Sequence, residues 1–101
     1  MIDAKSLLAS ALSGGSVPPS LRPPELALWH AKAGNWDRAH DLCQEIPDPD
    51  GAWIHAYLHR EEGDLGNAQY WYQRARRNAP RAGLSLADEW LQLAEYFCQK
   101  Q

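Results

Sequence analysis

Apolar side chains in this chain recur three or four positions apart instead of alternating, which is the spacing of one face of a helix and not of a strand. Leu65, Ala68, Trp71 with Tyr72, and Ala75 fall on one such stripe, and Trp36, Ala39, Leu42 with Cys43, and Ile46 repeat the same offsets earlier. Each stripe follows a Gly-Asx pair, Gly34-Asn35 or Gly63-Asp64. Glycine readily takes the left-handed conformation that ends one helix, and Asn or Asp caps the exposed N–H groups of the next. The pattern predicts helices over residues 24–33 and 36–46, then over 52–62 and 65–78, with very short turns inside each pair. Pro24 and Glu25 suit a first helical turn. The run Pro47-Asp48-Pro49-Asp50-Gly51 is a dense turn signal in which Asp50 is the predicted cap.

The flanks carry weaker patterns. Ile2, Leu7, Leu8, Ala11 and Leu12 lie near one helical face, so residues 1–12 are read as a short helix that caps the repeats. Residues 13–24, SGGSVPPSLRPP, hold two Pro-Pro pairs that exclude regular helix and favour an extended linker. Ser85 and Asp88 approximate a capping box, after which Leu86, Trp90, Leu93, Ala94 and Phe97 line one face of a capping helix over residues 85–101.

From Gly34 to Gly63 the grammar repeats with a period of 29 residues. A fixed period of helix, glycine, capping residue and helix is the mark of a helical repeat, and the expected class is all-α. Gly34, Trp36 and Ala39, then Gly63, Leu65, Ala68, Tyr72, Ala75 and Pro80, resemble the tetratricopeptide family, whose repeats are longer, at about 34 residues. Pro80 falls where that family commonly ends a repeat. The resemblance covers residues 24–80 and implies a mini-solenoid of two helix-turn-helix hairpins, residues 25–80, with a capping helix at either end, and a peptide-binding concave surface. The stretch of residues 53–75 is also similar to one in small uncharacterised bacterial proteins, which implies no activity.

Composition narrows the class. With 101 residues the chain suits one domain, and its five tryptophans and 45% hydrophobic content suit a packed core. A net charge of -3 leaves no basic face for nucleic acid. The N-terminal apolar run is interrupted by serines and follows Asp3, so neither a signal peptide nor a membrane span is expected. Cys43 and Cys98 stand at apolar helix positions, which predicts buried thiols and a cytoplasmic setting. Gly14 and Gly15 lack the Lys and Ser/Thr of a phosphate loop.

The candidate chemistry is concentrated between Trp53 and Ala75. His55, His59 and Glu62, spaced i, i+4, i+7, line one stripe and form a sensible donor set for zinc or another divalent metal; through the aligned turns, His30 corresponds to His59 and is a candidate third nitrogen. The spacing is not HExxH, so no metalloprotease base is placed. The preferred reading is histidines packed between helices, each satisfied by a carboxylate, a backbone carbonyl or a tyrosine hydroxyl. Trp53 and Tyr57 suit the core or an open aromatic groove. Tyr70-Trp71-Tyr72 spans about 200° of helix, leaving Tyr70 for the C-terminal helix or solvent. Arg74, Arg76, Arg77 and Arg81 cluster where a helix C-terminus favours cations, in preference to an anion site.

The expected function is therefore binding, with no catalytic residue and no cofactor assigned. A peptide, partner protein or small ligand would meet a surface of His30, Trp53, Tyr57, His59, Arg60 and Tyr70, rimmed by Lys32 and Glu61, in a monomer or homodimer. The alternative is a metal- or histidine-dependent enzyme using His30, His55, His59 and Glu62.

Overall fold

A computed structural model of the chain describes residues 2–99. Six helices and no strand are found among them: α1 (Ala4–Leu12), α2 (Pro23–Lys32), α3 (Trp36–Cys43), α4 (Asp50–Glu62), α5 (Leu65–Arg74) and α6 (Leu86–Gln99). The all-α class read from the periodicity is thus what the chain adopts. None of these helices is long and apolar enough to cross a membrane. The last two positions of the expected C-terminal helix, like Met1, lie outside the described residues.

The two Gly-Asx pairs end their helices in the same way. Gly34 and Gly63 have φ of 92° and 91°, and the amides of Asn35 and Asp64 donate back to the carbonyls of His30 and His59 at 2.8 and 2.9 Å. This is the Schellman arrangement, in which the left-handed residue lets the chain satisfy carbonyls that the helix leaves open. Asp64 then caps α5 by accepting from the Asn67 amide at 3.3 Å. Asn35 forms no such cap, its side-chain amide lying 3.2 Å from Nδ1 of His30. A third turn of this type ends α5 four residues earlier than expected: Arg76 takes φ of 59°, and the Arg77 amide donates to Tyr72 at 3.0 Å. Helix α3 is also shorter than its apolar stripe, ending at Cys43 while Ile46 stays buried beyond it.

Helix α3 packs on α2 and α5 on α4, while α2 and α4 lie in contact with one another and α3 also touches α4. Helix α6 packs on α1, α2 and α4, while α5 lies close along α4 alone and reaches α6 through the Tyr72 side chain. The C-terminal helix therefore lies across the face shared by α2 and α4, and its Trp90, Leu93 and Phe97 belong to the same buried core as Leu28, Trp53 and Leu58. Trp90 is wholly buried and its indole N–H donates to the Leu28 carbonyl at 2.9 Å. On the other side α1 buries Leu7 and Ala11, and Ser10 accepts from the Trp29 indole at 3.0 Å.

Helix α4 is covered on most sides, every residue from Gly51 to His59 being buried. Its entry is tight: a methyl built at Gly51 would collide with the Ile46 carbonyl and come within 2.9 Å of that of Cys43. Only glycine lets the start of α4 lie so close to the end of α3, and that approach sets how α3 faces α4.

Candidate functional site

On α4, His55 and His59 point to one side, their rings stacked at 4.9 Å between centroids with a 20° tilt. Helix α3 brings His40 to them. Its Nε2 lies 2.8 Å from Nε2 of His55, and its ring stands edge-on to both partners at 84° and 79°. One ring nitrogen from each histidine lies within 4.8 Å of the other two. Glu62, one turn further along α4, holds Nδ1 of His59 at 2.7 Å.

Two tryptophans hold the outer rings in place. Trp36 stacks on His40 at 4.9 Å and 12°, and its indole N–H donates to the Leu58 carbonyl at 2.8 Å. From the opposite side Trp71 of α5 stacks on His55 at 3.8 Å and 14°. Arg74 lies over the Trp71 ring at 5.1 Å and pairs with Asp48 at 2.5 Å. The cluster thus sits in a seam, floored by α4 and walled by α3 and α5, which do not pack on each other. His40, Trp36 and Trp71 are half-buried and Arg74 and Tyr70 exposed, so the seam reaches the surface.

Burial, then the neighbouring His40 and His59, push the His55 imidazole down to about 4, which keeps it neutral near pH 7. Cys43 donates its thiol hydrogen to the His40 carbonyl at 3.1 Å, and burial pushes that thiol up to about 12. It is a protonated packing group and not a nucleophile activated by the imidazoles.

The residues singled out in the sequence do not share one place. His55, His59 and Glu62 come together as their spacing implies. His30 does not join them: it is half-buried at the Gly34 turn, beside Asn35 and edge-on to Trp29, and burial lowers its basicity. Trp53 and Tyr57 face the core, Trp53 meeting Tyr96 and Phe97 of α6 at 5.4 and 6.1 Å, with the Arg77 guanidinium 3.4 Å over its outer face. Arg60 reaches the buried Glu89 carboxylate at 2.9 Å and also donates to the Leu84 carbonyl. Tyr70 is 51% exposed, on the α5 edge of the seam. Rimming residues Lys32 and Glu61 lie elsewhere, Lys32 over the Trp90 ring at 5.1 Å and Glu61 in a partly desolvated position that raises its carboxyl.

The residue missed in the sequence is His40. Its signal is its position four residues after Trp36, which puts both rings on one edge of α3, but only the packing of α3 against α4 shows that this edge meets His55. Comparisons with protein-family models, curated proteins and solved structures find no match to this chain.

Proposed function

We propose that this chain is a small binding module of tetratricopeptide-like architecture, in which α2–α3 and α4–α5 are two shortened repeats forming a mini-solenoid and the ligand is met in the seam between α3 and α5. One observation carries this reading: Trp36, His40, His55, His59, Trp71 and Arg74 converge from three helices on one seam whose α5 edge carries the exposed Tyr70. The matched Gly34 and Gly63 turns and the contact of α2 with α4 support the repeat architecture. The face shared by α2 and α4, where a concave groove would lie, is filled by α6, which moves recognition to the opposite side. Aromatic walls with a few polar groups between them suit a peptide, a partner side chain or a small ligand. Buried free thiols at Cys43 and Cys98 support a cytoplasmic setting.

The test is a fragment screen by NMR, with short peptides, imidazoles and aromatic carboxylates as probes. Shifts are expected at the indole and imidazole resonances of Trp36, His40, His55 and Trp71, and Trp71→Ala should abolish them while Trp90 stays unperturbed. Shifts confined to the α6 side, or none from any probe class, would sink the seam as a recognition site.

A further inference from the structure

We propose that His40, His55 and His59 bind one divalent transition-metal ion of the zinc type, an assignment that rests on the seam being the chain's ligand site. In a tetrahedral zinc site with bonds of about 2.0 to 2.1 Å, neighbouring ligand atoms are spaced at roughly 3.3 Å. The contact of 2.8 Å between the Nε2 atoms of His40 and His55 is shorter than this, and all three nitrogens lie within 4.8 Å of one another. Small in-plane shifts of the rings, which slide along the stacked indoles without turning out of their planes, bring the set to bonding distance. Two Nε2 atoms in contact share one hydrogen between them, and when the ion takes its place that hydrogen moves to the Nδ1 of its own ring, so both imidazoles stay neutral and each offers an Nε2 lone pair.

The surroundings hold the donors as a metal site requires. Glu62 engages Nδ1 of His59 at 2.7 Å, the carboxylate–histidine arrangement that fixes the tautomer and orientation of a ligating ring, and this presents Nε2 to the ion. Trp36 and Trp71 fix the planes of His40 and His55 by stacking at 12° and 14°. Nitrogen donors select zinc, copper or nickel over calcium and magnesium. Three protein ligands leave a fourth position for water, as in open rather than closed zinc sites.

The experiment uses the tag-free full chain, stripped with chelator and titrated with Zn2+ against a chromophoric competitor, and with Co2+ by visible absorption. One ion per chain is expected, with tetrahedral cobalt bands. His40→Gln and His59→Gln should each weaken zinc binding by about 100-fold or more, Glu62→Gln by about 10- to 100-fold, and His30→Gln should leave it unchanged. Imidazole nitrogen shifts of the wild-type protein under zinc should move at His40, His55 and His59, a readout that survives if a variant fails to fold. Absence of stoichiometric zinc, or zinc that leaves those three shifts unmoved, overturns the assignment. Organic fragments that still map to the seam in that case would show that the metal fails and the seam stands, whereas loss of both would remove the site itself.

Discussion

A carboxylate taken out of water is stable only where charge and hydrogen bonds replace its hydration, and Glu89, 2% exposed, is held in this way. Arg60 of α4 donates to one oxygen at 2.9 Å and Tyr72 of α5 to the other at 2.6 Å, so the group ties α6 to both helices. Glu89→Ala should cost about 3 to 5 kcal/mol by leaving Arg60 without its buried partner, and Tyr72→Phe about 1.5 to 3 kcal/mol as a hydrogen bond to a charged group. Chemical denaturation with the double variant checks it, because the two losses should be far from additive. At the same scale, burial raises the thiols of Cys43 and Cys98 from near 9 to about 12 and about 11. A group whose folded value is raised contributes stability that is complete below its unfolded value and is lost as pH climbs toward the folded one. Melting temperature should therefore fall from about pH 9 upward, less steeply in a Cys43→Ala, Cys98→Ala variant, and a thiol reagent at about pH 8 should react only on unfolding. A native protein that is promptly labelled at both cysteines would contradict their burial.

Between elements the decisive positions are glycines with opposite requirements. Gly63 needs its φ of 91° and has open space around its α-carbon, so Gly63→Asn should be mild while Gly63→Val costs on the order of 1 to 2 kcal/mol or more. Gly51 lies within a helix and needs space instead. Gly51→Ala forces the Ile46 and Cys43 carbonyls away from α4 and should cost about 1 to 3 kcal/mol. Because that contact sets how α3 meets α4, the same variant should shift the His40 and His55 imidazole resonances. Thermal melts and histidine NMR spectra of the three variants test both statements, and an unchanged histidine spectrum in Gly51→Ala would uncouple the turn from the site.

For the whole molecule, α1 and α6 cover what the four central helices leave open. Leu7 is wholly buried, and α1 touches both α2 and α6. Removing residues 1–12 should expose Leu28, Trp29 and neighbouring α6 surface, lower the melting temperature and promote self-association. Sedimentation of a truncated chain that stays monomeric and equally stable would show that α1 is not a cover.

The amino-acid sequence by itself determined the local structure, because helix period, capping and left-handed turns depend on contiguous residues: the six helices, the Gly34 and Gly63 turns, and the stripe of His55, His59 and Glu62 were legible there. Helix ends shifted where a turn competed with the stripe, as at Arg76, and Leu65, read as part of the inner stripe, stands 67% exposed because α4 is the only described helix whose backbone lies close along α5. Tertiary structure alone decided the faces. Whether α6 would pack beyond α5 or fold back over α2 and α4 depends on how Trp90, Leu93 and Phe97 fit the volume between those helices, which no local pattern encodes. That choice put Trp53 and Tyr57 in the core, and it left the opposite side, where α3 carries His40 to a partner 15 residues later, as the place where His40, His55 and His59 meet.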